Sequence, residues 1–92
     1  MKAKIDNFDR KCMFYHVLAD HGYGESAYTW RWMAKDRAEF EEIVRELREK
    51  LGDECVKVWT AEYSDRTDYF VGAFGPRGGQ LTGMRIYREA KI

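Results

Sequence analysis

Asp36-Arg37-Ala38-Glu39-Phe40-Glu41-Glu42-Ile43-Val44-Arg45-Glu46-Leu47-Arg48-Glu49-Lys50-Leu51-Gly52 is the stretch on which the fold turns. Asp36 followed three residues later by Glu39 reads as a capping box. Phe40, Ile43, Val44, Leu47 and Leu51 recur at helical spacing and form one apolar stripe. Gly52 supplies the left-handed residue that ends the helix. At 1.5 Å per residue the helix is roughly 24 Å long. Its other side carries Glu41, Glu42, Arg45, Glu46, Arg48, Glu49 and Lys50, with Glu41/Arg45 and Glu46/Lys50 four apart. Such a run is a solvated helix face.

Outward from the helix the pattern changes period. Residues 11–19 and 26–34 read as strands joined through a loop at 20–25 that contains Gly22 and Gly24. After the helix, 54–63, 67–74 and 83–88 read as three more. Ser64-Asp65-Arg66 makes one turn, and a longer, mobile loop begins at Gly75-Pro76-Arg77-Gly78-Gly79. The expected fold is α+β: a single domain over residues 1–92, in the order ββαβββ. One amphipathic helix packs on a largely antiparallel five-stranded sheet, and residues 1–10 form a loosely ordered N-terminal segment.

Alternation along each strand assigns the faces. Thr29, Arg31 and Met33 share a row opposite Tyr28, Trp30 and Trp32, whose aromatics point to the helix. Lys57 shares its face with Trp59, leaving Val56 and Val58 for the core. Met84 and Ile86 point inward, Arg85 and Tyr87 outward. The strands at 11–19 and 67–74 are apolar on both faces. Phe14, Leu18, Phe70 and Phe74 are assigned to the core, which sends Met13, Tyr15, Val17, Tyr69 and Val71 outward. Tyr15, Arg31, Met33, Lys57, Trp59, Tyr69, Arg85 and Tyr87 thus become the candidate binding residues. Their types are those enriched at protein interfaces. A sheet curling into a partial barrel would bury the same residues and explain the pattern equally.

The width of the sheet favours a docking surface. Five strands at ~4.8 Å make a sheet roughly 20–24 Å wide, whereas one helix is about 10–12 Å across. The uncovered remainder must bend, be covered by the N-terminal segment, or meet another chain, and a homodimer is the commonest such assembly.

Composition narrows the function classes. With 45% hydrophobic residues and one proline among 92 residues, the chain has the makings of one folded core. Sixteen basic residues balance sixteen acidic ones, which counts against a protein whose main task is gripping phosphates. No apolar run approaches the ~20 residues of a membrane span, and residues 1–6 lack the apolar stretch of a signal peptide. A cytoplasmic location with Cys12 and Cys55 as free thiols is expected.

No chemical motif survives inspection. Cys12, His16 and His21, with Cys55, supply zinc-type ligands. On a strand, however, Cys12 and His16 would lie more than ~13 Å apart. His16 is expected in the core or at an edge, and His21 in a loop. A cysteine nucleophile would need a histidine base in contact, and no serine lies in a nucleophile elbow. Asp65 with Asp68, and Glu41 with Glu42, read as turn or surface carboxylates. Gly72, Gly75, Gly78, Gly79 and Gly83 are not followed by the Lys-Ser/Thr pair of a phosphate loop.

No cofactor, metal or enzymatic activity is therefore expected. The sequence points to a non-enzymatic protein-binding module, a small regulator or inhibitor acting through an aromatic and Arg-rich sheet face. Size and class alone suggest the phage and mobile-element inhibitors. The alternative is single-stranded nucleic acid on the same face, with bases stacked on aromatics and phosphates met by Arg31, Lys57 and Arg85.

Overall fold

The computed structural model describes residues 6–22 and 34–91. The elements run α1 (Asn7–Asp20), α2 (Arg37–Leu51), a single 3-10 turn (Asp53–Cys55), β1 (Val56–Glu62), β2 (Arg66–Phe74) and β3 (Gln80–Ala90). Among the described residues the sheet is three-stranded and antiparallel, in the order β1-β2-β3. This overturns the five-stranded ββαβββ arrangement. Residues 11–19 are helix, and the second expected strand, with Tyr28, Trp30, Arg31, Trp32 and Met33, lies outside the described residues.

Helix α1 has a physical signature of its own. Asp6 accepts the Asp9 backbone N–H at 2.8 Å, which satisfies one of the orphan donors at the helix start. Met13, Phe14, Val17 and Leu18 then recur one turn apart. Phe14, Val17 and Leu18 are buried and Met13 packs on them. Val17 is therefore inside, not outward. His16 is exposed on the helix surface. His21 follows the last turn, its N–H donating to Leu18 O at 3.2 Å, and its Nε2 lies 3.0 Å from Glu46 Oε1 on α2.

Helix α2 follows its sequence pattern. Asp36 accepts the Glu39 N–H at 2.9 Å, and Phe40, Ile43, Val44, Leu47 and Leu51 are buried. Lys50 pairs with Glu46 at 3.8 Å, while Arg45 reaches Glu49 at 3.0 Å. Gly52 closes the helix at φ +101°, its N–H donating to Arg48 O at 2.9 Å.

A two-residue turn, Ser64-Asp65, joins β1 to β2, closed by the Tyr63 N–H on Arg66 O at 2.9 Å. The β2–β3 connection is a tight turn rather than a long loop. The Gly75 N–H bonds Gly79 O at 2.8 Å, and the Gly78 N–H bonds Gly75 O at 2.9 Å.

Both helices lie on the same side of the sheet. Phe14, Val17 and Leu18 from α1 and the α2 stripe form one core with Val56, Val71, Ala73, Ile86 and Tyr87. Among the described residues, no helix is long and apolar enough to cross a membrane.

Gly52 tests the helix end. A Cβ there would meet nothing within 4 Å, so substitution costs backbone strain alone. Gly52→Ala should lower unfolding stability in urea by about 1–3 kcal/mol. An unchanged midpoint would show that the positive φ is not required.

Candidate functional site

Cross-strand partners share a face in an antiparallel sheet, so the register sorts every side chain. Val58 opposes Val71, Val56 opposes Ala73 and Thr60 opposes Tyr69, all on the helix-facing side. Trp59 opposes Phe70, Lys57 opposes Gly72 and Ala61 opposes Asp68 on the other side. Phe70 and Phe74 are therefore on the open face, and Tyr69 and Val71 on the covered one, the reverse of the sequence assignment.

Between β2 and β3 the register shifts at Tyr69/Phe70: Tyr69 opposes Tyr87, yet Phe70 opposes Arg85. Ile86 is the extra residue of a β-bulge. The bulge lets Ile86 (0% exposed) and Tyr87 (7%) both enter the core. The outward placement of Tyr87 is thereby corrected, while the inward placement of Ile86 and Met84 stands.

Tyr69 and Tyr87 hold the sheet to α2. Phe40 lies 5.3 Å from the Tyr69 ring and stacks on Tyr87 at 5.7 Å. Glu89 accepts from both phenols, from Tyr87 at 3.2 Å and Tyr69 at 3.4 Å. Arg37 donates to the Tyr69 hydroxyl at 2.9 Å and to Glu89 at 3.3 Å. Burial, and next the hydrogen bond to Glu89, push the Tyr87 phenol above its ordinary value of 10.0. The hydrogen bond to Tyr69 likewise raises Arg37.

On the open face the centrepiece is Trp59, 36% exposed. Its six-membered ring leans across β2 onto β3. A Cβ built on Gly72 or on Gly83 would come within 2.9 Å of it. The paired glycines make a floor, and the indole covers the backbone they leave bare. Phe70 stacks on Trp59 at 5.7 Å with planes 7° apart, and Phe74 meets it edge-on at 6.3 Å. Lys57 Nζ lies 4.9 Å over the Phe74 ring.

Next to the aromatics is a charged cluster. Asp68, fully buried, accepts from Arg66 Nε at 3.3 Å, Arg85 Nη1 at 3.2 Å and Arg88 Nε at 3.3 Å. Arg66 also covers the Tyr63 ring at 4.3 Å. With Lys57, four cations gather here among the described residues, set against Asp68 and, at Arg66, Asp65 at 3.2 Å.

Of the eight sequence candidates, Lys57, Trp59 and Arg85 meet on this face. Tyr15 is exposed on α1, its hydroxyl 2.6 Å from Thr82 Oγ1. Tyr69 and Tyr87 belong to the core side, and Arg31 and Met33 lie outside the described residues. Sequence reasoning missed Phe70, Phe74, Asp68, Arg66 and Arg88. The charge at Asp68 was the available signal, since it marks the row it shares with Phe70 and Phe74.

Helical placement also changes the zinc question. Cys12 and His16 are one turn apart on α1, not strand-separated, but Cys55 is buried and His21 engages Glu46. Among the described residues no three His, Cys, Asp or Glu side chains are grouped to hold a metal ion.

Comparison of the chain with protein-family models, curated proteins and solved structures finds no match. The open face is therefore read on its own geometry.

The covered tyrosine gives a pH prediction. A phenol whose folded-state pKa is raised contributes stability that is present below about pH 10 and lost as pH rises through the raised value. The urea midpoint should begin to fall as pH passes about 10 and go on falling above it, and less steeply in Tyr87→Phe. Parallel pH profiles would contradict the assignment.

Proposed function

We propose that the chain is a non-enzymatic protein-binding module, a small regulator or inhibitor that occludes a partner surface with its open sheet face. The observation that supports this most is Trp59, half exposed and already fixed in place by Phe70, Phe74 and the Gly72–Gly83 floor. Trp and Arg dominate binding hot spots, and a rigid anchor loses little side-chain entropy on docking. Exposed Cys12 and buried Cys55, both free, suit a reducing, cytoplasmic setting.

A second reading has one observation in its favour. The parallel Trp59 and Phe70 rings beside four cations also suit stacked bases of single-stranded nucleic acid. Asp68 counts against it, because it engages three of those cations and repels phosphate.

Trp59→Ala separates these readings from a purely structural role. Affinity capture from a host lysate should lose its partner with this variant, at a cost of about 2 kcal/mol or more in binding. The variant should remain folded by circular dichroism, with a lower urea midpoint because Gly72 and Gly83 lose their cover. Tyr87→Ala should instead destabilise the fold by about 3–5 kcal/mol, as expected for a buried aromatic. Salt-sensitive binding of single-stranded oligonucleotides through Trp59, with no protein retained, would replace the protein reading by the nucleic-acid one.

A further inference from the structure

The outer face of α1 carries two metal-type ligands that the fold does not use. Cys12 and His16 are both exposed, and Cys12 is a free thiol. Among the described residues neither side chain takes part in a hydrogen bond or an ion pair. Helix α1 runs unbroken from Asn7 to Asp20, so these two residues, four apart, have Cβ atoms roughly 5–6 Å from each other. An ion about 2.3 Å from a thiolate sulfur and about 2.0–2.1 Å from an imidazole nitrogen spans that gap. Phe14, buried, marks the core side of the helix. Cys12 and His16 each stand roughly 160° round the helix from it, so both face away from the protein.

The surroundings of the pair are apolar. Phe8, one turn before Cys12, is 72% exposed, the most open large apolar side chain among the described residues, and the Tyr15 ring is exposed too. With Phe14, Val17 and Leu18 on the inner side, α1 is apolar on two sides, as a helix covered on both is. Helix α2 differs. Its outer side carries Glu42, Arg45 and Glu49, which pair with one another in solvent.

We infer that Cys12 and His16 bind a divalent ion of the zinc class, completed as a Cys2His2 tetrahedron by the same two residues of a second copy. A thiolate with an imidazole selects such an ion over magnesium or calcium. A closed zinc site takes four ligands, and one chain supplies two. Cys55 is buried, His21 is engaged with Glu46, and among the described residues no third His, Cys, Asp or Glu joins the pair. Two copies about a two-fold axis through the ion supply all four. Each thiol releases its proton to solvent and gives a sulfur lone pair to the metal, and the imidazoles bind neutral. Two thiolates then balance the charge of the ion, so Phe8 and Tyr15 are covered beside a site of no net charge. The helices lie on the covered side of the sheet, and the bridge leaves the open face accessible.

Cobalt and zinc titrations of the reduced chain test this. Cobalt(II) should develop thiolate charge-transfer bands and tetrahedral d–d bands, saturating at one ion per two chains. Zinc should displace it. With metal the sedimentation mass should rise from 10.9 kDa to twice that value, and EDTA should return it to monomer. Cys12→Ser and His16→Ala, both at exposed positions, should stay folded by circular dichroism, remain monomeric and lose more than about tenfold in metal affinity. No uptake up to about 0.1 mM metal would overturn the inference. So would one ion on each monomer, or an affinity unchanged in His16→Ala, which marks adventitious binding to the thiol. A dimer that EDTA leaves intact and a reductant dissolves would overturn it as well, since that is a Cys12 disulfide.

Discussion

The bulge at Ile86 is the constraint from which both surfaces of the sheet follow. Strict alternation along β3 would put Arg85 and Tyr87 on one side, Ile86 and Arg88 on the other. Arg88 would then be driven under α2 and Tyr87 left in water. One inserted residue reverses the second half of the strand. Ile86 and Tyr87 enter the core together, while Arg85 and Arg88, three residues apart, converge on the same carboxylate of Asp68. A buried carboxylate needs partners to offset its desolvation, and the bulge brings the second arginine of β3 to it. The local loss of one ladder position is repaid on both faces.

The two faces divide the aromatic chemistry. On the covered side, Phe40, Tyr69 and Tyr87 form a packed trio whose hydroxyls are caught by Glu89. Each phenol is used twice, once as apolar area and once as a polar handle. On the open side, Trp59 rests on the backbone of Gly72 and Gly83 and stacks with Phe70. Gly72 and Gly83 would weaken the sheet if left bare, and the indole is what covers them. The exposed aromatic is therefore part of the fold as well as of the candidate site. That dual role accounts for its rigidity.

How much of this was legible depended on whether a single period described the segment. Helix α2 was readable from Asp36 to Gly52, because its caps and its apolar stripe agree. The pairing of Lys57 with Trp59 and the inward Val56 were readable, since β1 alternates cleanly. Helix α1 was misread because Phe14, Tyr15 and Val17 favour a strand by residue type. Its true signals were Asp6 before Asp9 and the 13/14/17/18 spacing. In β2 both rows are apolar, and only the charge of Asp68 distinguishes them. Tyr87 could not have been placed by alternation at all. A bulge changes the phase without leaving a mark in composition, and the only hint was two arginines spaced by three.

The expected mismatch of widths has a different physical form in the structure. Three strands span roughly 14 Å, and two helices side by side are about 20 Å across. Helix width is therefore in surplus, yet Val58 remains exposed. The reason lies in where the helices are anchored. Phe40 is held by Tyr69 and Tyr87, and Tyr15 by Thr82, so these anchors lie on β2 and β3. The helix layer closes over β1 at Val56 and leaves Val58 and Thr60, farther along the strand, exposed.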